Sequence, residues 1–214
     1  MGFRWCPECR RQVRVVPEPI CQTCGMPLSH PGLCSTCRDC LPPYKEMRSW
    51  LVFEGPIRHA IHSLKYRRNV ALGDALAQHF AEYVGRLDWL LDVIVAVPLG
   101  RQRMAERGYN QVTLVARPLA AIMGKCYSSQ ILTRARETRT QVGLSPAERK
   151  ANVAGAFHAD ADQTSGKNIL VVDDVATTGA TTASCAESLQ KAGAKNVYVL
   201  TLARALPQHG LQIV

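Results

Sequence analysis

Residues 169–182, ILVVDDVATTGATT, set two adjacent carboxylates and a run of small, hydroxyl-bearing residues at one strand end. The apolar run 169–172, rich in β-branched side chains, reads as a strand buried on both faces, closed by Asp173 and Asp174. Between Ala176 and Thr182 every residue is Ala, Thr or Gly, and Gly179 is free to take a backbone shape other residues resist. A helix is expected over 180–192, with Gly193 as its terminating glycine. The N–H groups at the start of that helix, with the hydroxyls of Thr177, Thr178 and Thr181, make an anion cradle. The acid pair beside it suits ribose hydroxyls and a hydrated Mg²⁺ ion. The plainer alternative is a strand-turn-helix corner whose acids cap the helix.

A second chemistry sits at the front of the chain. Seven of the nine cysteines fall in the first 40 residues: Cys6-x-x-Cys9, Cys21-x-x-Cys24-Gly, Cys34-x-x-Cys37 and then Cys40. Each C-x-x-C is a zinc knuckle in spacing, and two knuckles complete a tetrahedral site of four sulfurs. The preferred site is Cys21, Cys24, Cys34 and Cys37. Cys6 and Cys9 are then left for a second ion, completed by Cys40 and His30, or are the remnant of a second ribbon. A competing assignment joins Cys6 and Cys9 to Cys21 and Cys24. Four thiolates leave no open coordination position, so the zinc is structural or serves docking. A segment this short has too little core to fold without metal. Cys126 and Cys185 are isolated in apolar surroundings and read as core residues.

The elements that must hold these groups follow a linker at Pro42-Pro43-Tyr44. Apolar spacing predicts helices over 57–68, ending in Lys65-Tyr66-Arg67-Arg68, and over 71–85. Residues 92–97 form another buried strand, followed by Arg101, Arg103, Arg107 and Gly108-Tyr109-Asn110-Gln111, with a helix from 110 to 123. Guanidinium forks match pyrophosphate oxygens, which would put Arg107 in an anion site. Arg107 and Lys65 also read as solvated cations, and Asn110 as a helix cap. Residues 132–157 are the least regular part, basic and polar, through Arg134, Arg136, Arg139, Gln141, Leu144, Arg149 and Asn152. Ser145-Pro146-Ala147-Glu148 is a capped helix start within it. The segment is either a cover that closes over ligand or an ordered surface loop.

Composition bounds the rest. The 214 residues, 47% hydrophobic and 20% charged, describe an ordinary globular chain with room for one full α/β domain and a small appendage. No apolar run is long enough to span a membrane, and no secretory h-region precedes the first cysteines, so cytoplasm is expected. The net charge of +9 is uneven: residues 1–70 carry 11 basic and 5 acidic side chains, and residues 99–152 carry 10 and 3. That polarity fits a polyanionic partner or simply a soluble basic face. A P-loop and a strand-linked G-x-G-x-x-G are both missing, which excludes those nucleotide folds.

The acid pair with V-A-T-T-G-A-T resembles the phosphoribosyl pyrophosphate (PRPP) motif of type I phosphoribosyltransferases. Taken with C-x-x-C-G-x-P-L at 21–28, L-K-Y at 64–66, V-P-L at 97–99, R-G-Y-N-Q at 107–111, R-x-R-x-T-x-x-Q at 134–141 and E-R-x-x-N at 148–152, the chain resembles the ComF family nearly end to end. One departure is that many relatives carry four C-x-x-C pairs and this chain three. The resemblance implies a zinc-binding module over 1–43 and a phosphoribosyltransferase-type α/β domain over 44–214, a central parallel sheet flanked by helices. It implies Mg²⁺-PRPP as ligand, with Asp173 and Asp174 at the ribose, residues 176–181 (Ala176, Thr177, Thr178, Gly179, Ala180, Thr181) at the 5-phosphate, and Arg107 and Lys65 at the pyrophosphate. It also implies a role in DNA uptake, with single-stranded DNA and competence-machinery proteins as partners. The activity is either phosphoribosyl transfer to an acceptor or ligand sensing by an adaptor without turnover. The oligomeric state is left open.

Overall fold

The computed structural model describes residues 6–138, 143 and 145–206. Five strands, β1 (Glu46–Val52), β2 (Val93–Ala96), β3 (Cys126–Tyr127), β6 (Asn168–Ala176) and β7 (Asn196–Arg204), form one all-parallel sheet in the order β1-β7-β6-β2-β3. A separate antiparallel pair, β4 (Leu132–Arg134) and β5 (Phe157–Ala159), stands beside it.

Strand residues alternate between two apolar layers, which is why the central strands read as unbroken apolar runs. Ile94, Leu170, Val172 and Leu200 pack with α3 (Gly55–Tyr66), α4 (Val70–Val84) and α6 (Thr113–Ile122). Val93, Val95, Ile169, Val171 and Val199 pack with α9 (Ala180–Lys191), with Val153 of α7 (Pro146–Val153) and with the β4–β5 pair. Between them run α5 (Arg101–Arg107) and the one-turn α8 (Ala161–Thr164). The connection after β2 leads toward β3, and that after β6 leads to β7 on the opposite side. A crevice therefore opens between β2 and β6 at their carboxyl ends, where such sheets bind ligands.

The helix expected over 110–123 is shorter, α6, and a separate α5 precedes it. α5 buries no side chain, so it carries no apolar periodicity to betray it. It ends at Gly108, in the left-handed conformation at φ 71°. Asn110 reaches back from the junction to donate to the Val97 carbonyl (2.9 Å) and accepts from the Val112 amide (3.0 Å). Strand β6 also runs past the acid pair to Ala176, because β7 pairs with it that far.

Pro118 lies inside α6 and has no N–H to give the Leu114 carbonyl. Against that carbonyl comes Gly73 of α4, so closely that a methyl group there would collide with the oxygen. Gly73→Ala is therefore expected to destabilise the fold by about 1–3 kcal/mol through overpacking, read as a lower urea midpoint with an unchanged m-value.

The cysteine-rich segment contains α1 (Pro7–Gln12) and α2 (Ser35–Asp39) and lies along the open edge of β1. Val15 bridges Leu51 in antiparallel sense, the Val52 amide donates to the Arg14 carbonyl (2.8 Å), and the Met47 amide to the Thr23 carbonyl (2.7 Å). Covering this edge removes a row of unpaired strand groups that would otherwise invite aggregation.

Candidate functional site

A cavity of about 570 Å³ occupies the crevice between β2 and β6. It is lined by Asp173 and Asp174, by Thr177, Gly179, Ala180 and Thr181 of the loop after β6, and by Lys65, Arg103, Arg107, Arg134 and Arg149. The structure thus gathers the acid pair, the loop, Lys65 and Arg107 around one space. Thr178, by contrast, is exposed, and its hydroxyl accepts from the Ala180 amide (3.4 Å). Gly179 is left-handed at φ 77°, and this turns the chain from β6 into α9.

The two acids differ in surroundings. Asp174 is 8% exposed, ion-paired with Lys65 Nζ (3.2 Å) and accepting from Gln111 Nε2 (2.8 Å). Burial works against its ionisation, but Lys65 and Gln111 outweigh burial and hold the carboxyl below the usual range. Asp173 accepts from the Asp174 amide (2.8 Å). Its burial, and next the charge of Asp174, push its carboxyl up to about 8. Two adjacent carboxyls offering hard oxygen donors fit Mg²⁺.

The R-G-Y-N-Q segment is the scaffold of this arrangement. Arg107 donates to Gln111 Oε1 (2.9 Å) and lies over the Tyr66 ring, 5.2 Å from its centroid. Tyr109 donates to the Leu64 carbonyl (2.6 Å), fixing the end of α3 that carries Lys65. Arg107, Gln111, Asp174 and Lys65 thereby form one polar chain. Sequence reasoning quoted Gln111 without a role, because a neutral amide gives no signal until its acceptor is known.

Arg149 was likewise unassigned. It sits on α7, whose start has the expected capping box of Ser145 and Glu148. It is 5% exposed and donates to Thr177 Oγ1 (3.1 Å), adding a buried cation beside the loop after β6. Arg134, over the Phe157 ring, and Glu137, which accepts from the Arg101 amide (2.5 Å), bring the β4–β5 connection to the cavity wall. The expectations for Arg139, Gln141 and Leu144 lie outside the described residues.

Among the described residues, one group of three or more metal-ligating side chains is brought together, namely Cys21, Cys24, Cys34 and Cys37, their sulfurs all within 4.8 Å of one another. A tetrahedral ion with Zn–S bonds of about 2.3 Å needs sulfurs roughly 3.8 Å apart; Cys24 and Cys34 sulfurs are 3.6 Å apart. The Cys34 amide donates to Cys21 Sγ (3.4 Å) and the Cys37 amide to Cys34 Sγ (3.4 Å). Burial opposes ionisation of Cys21, yet the amides of Cys24, Cys34 and Thr23 bring its thiol down to about 6. The donor set fits zinc. Cys6, Cys9, Cys40 and His30 are not part of this group, and the assignment joining Cys6 and Cys9 to Cys21 and Cys24 is not the one adopted. Cys185 is fully buried as expected, whereas Cys126 is exposed, because β3 is a two-residue edge strand.

The parallel sheet flanked by helices, its acid-pair corner and the four-cysteine cluster define an α/β protein with a zinc ribbon. The double zinc ribbon family model matches residues 1–41. The chain is 38% identical over 207 residues to the DNA utilization protein YhgH of Salmonella typhimurium, covering 94% of this chain and 90% of that protein. It is 30% identical to competence protein F of Haemophilus influenzae, with the same coverages, and 28% identical to competence protein ComFC of Bacillus subtilis, over 94% and 84%. The chain belongs to the ComF family. Solved structures resembling it include the glutamine PRPP amidotransferase of B. subtilis (20% identity, TM-score 0.45, 66% of this chain and 30% of that one). Another is an adenine phosphoribosyltransferase (20% identity, TM-score 0.41, 63% and 72%). The chain spans under a third of the amidotransferase's length. None of the described helices is long and apolar enough to cross a membrane.

Proposed function

We propose that the cavity binds Mg²⁺-PRPP and that the chain transfers the phosphoribosyl group to an acceptor in the course of DNA utilisation in the cytoplasm. On this reading residues 1–43 are the zinc module and residues 44–214 carry the transferase site. The observation that carries it is the convergence of the Asp173–Asp174 pair, the Thr177–Thr181 loop and four or more cationic side chains on one cavity at the sheet's switch point.

Loop amides and the Thr177 and Thr181 hydroxyls take the 5-phosphate, with Arg149 behind Thr177. Asp173 and Asp174 take the ribose hydroxyls. Arg107 and Lys65 face the pyrophosphate, and Lys65 exchanges part of its bond with Asp174 for that anion. Bound Mg²⁺ supplies further neutralisation of the leaving group beside the two acids. As the C1–O bond to pyrophosphate lengthens, positive charge grows on the ribose ring, and the fixed carboxylates stabilise it. Single-stranded DNA and competence-machinery proteins are the partners on this reading, supported by the basic segments and by the relatives' names.

Calorimetric titration of Mg²⁺-PRPP into the protein tests the binding. Saturable one-to-one heat is expected, and its absence would overturn the reading. Pyrophosphate release in the presence of candidate bases then separates a transferase from a sensor without turnover.

A further inference from the structure

Arg204, the last residue of β7, is 2% exposed. Its Nη1 donates to the Cys24 carbonyl (2.7 Å), 180 residues away in sequence. Its Nε is buried and has no hydrogen-bond partner. Among the described residues no carboxylate lies within ion-pair distance of it. A guanidinium removed from water needs an opposite charge nearby, or its burial is strongly unfavourable.

One source of negative charge is at hand. A divalent ion held by the four thiolates of Cys21, Cys24, Cys34 and Cys37 leaves a centre with a double negative charge. We propose that Arg204 is the countercharge of that zinc centre, a positioning residue reaching from the α/β sheet to hold the metal-loaded ribbon. Arginine suits the task because its fork has five N–H donors, and the Cys24 carbonyl occupies one of its nitrogens.

The placement has a consequence for the cavity. Arg204 pairs in the ladder with Ala176, and the Ala205 amide donates to the Ala176 carbonyl (2.9 Å). Ala176 opens the phosphate loop. Buried Tyr44 puts its hydroxyl 3.6 Å from where a methyl on Gly179 would stand, and Met47, hydrogen-bonded to the ribbon at Thr23, contacts Thr182 through its sulfur (3.9 Å). The ribbon, its countercharge and the phosphate loop are one packed unit.

The test uses the full-length, zinc-loaded protein and transfer of zinc to the chromophoric chelator 4-(2-pyridylazo)resorcinol. Arg204→Gln keeps a donor and loses the charge; Arg204→Lys keeps the charge and loses the fork. Zinc affinity is expected to fall about 10–100-fold in the Gln variant and to stay near wild type in the Lys variant. Wild-type zinc retention by a folded Gln variant overturns the proposal, as does an equal loss in both, which would mark a mere hydrogen-bonded strap. Should the Gln variant fail to fold, the Lys variant decides alone: zinc retained supports the countercharge, and zinc lost overturns it. The inference rests on the zinc centre and not on PRPP binding, so either can fail without the other.

Discussion

Replacing Asp173 and Asp174 together by Asn is expected to abolish Mg²⁺-PRPP binding while leaving a folded protein. The pair is where the site concentrates unfavourable charge: Asp173 is pushed up by burial and then by Asp174 beside it. A group with a folded-state value above its unfolded value of 3.8 favours folding when protonated. That contribution is complete below the unfolded value and is lost as pH rises through about 8. Asp173→Asn alone should therefore raise the melting temperature of the ligand-free protein at pH 8, by roughly 2–4 °C for each kcal/mol relieved, with little gain at pH 4. The same titration gives binding a sign. If the ligand needs Asp173 ionised, affinity should climb between pH 6 and 8 by up to about tenfold per unit and then level off. Calorimetry across that range, beside thermal melts of both variants, checks both halves. Collapse of the double variant's fold would instead mean that the acids hold the strand-turn-helix corner together.

How far the sequence disclosed this site depends on how local each part is. The loop from Asp173 to Thr181 and the cysteine quartet are short-range patterns, and they lie where spacing puts them. Ser145 and Glu148 form their capping box for the same reason. Helix α5 escaped notice because none of its side chains is buried, so its stability comes from its ends and not from an apolar stripe. Gln111 and Arg149 were visible as motif letters, but their partners, Asp174 and Thr177, are 63 and 28 residues away. Arg204 gave no signal at all. In a strand otherwise buried, one cation reads as a strand end, and only the folded chain brings it to Cys24. Parts fixed by neighbours along the chain were legible, and parts fixed by neighbours across the sheet were not.

Removing the zinc should have the largest structural effect. Elemental analysis of the purified protein is expected to give about one zinc or more per chain, and Cys24→Ser to bring the Cys21–Cys37 site to near none, since three sulfurs cannot close the tetrahedron. The apparent binding energy of such sites, on the order of 10 kcal/mol or more in isolated fingers, exceeds what the small buried set around Cys21 and Cys37 can replace. Residues 20–40 should then lose hydrogen-exchange protection while β2, β6 and β7 keep theirs, because those strands are buried by α3, α4, α6 and α9 and not by the ribbon. The effect should not stop at the ribbon. Gly25 packs so tightly on β1 that a methyl there would stand 2.6 Å from the Met47 carbonyl oxygen. With the ribbon loosened, Tyr44 and Met47 lose their support against Gly179 and Thr182. Protection at the amides of residues 177–182 is expected to fall with that of the ribbon, and PRPP affinity with it. Exchange measured on zinc-loaded and Cys24→Ser protein decides the matter. Loss confined to residues 20–40, with the phosphate loop untouched, would show that the ribbon is an appendage and not a buttress of the site.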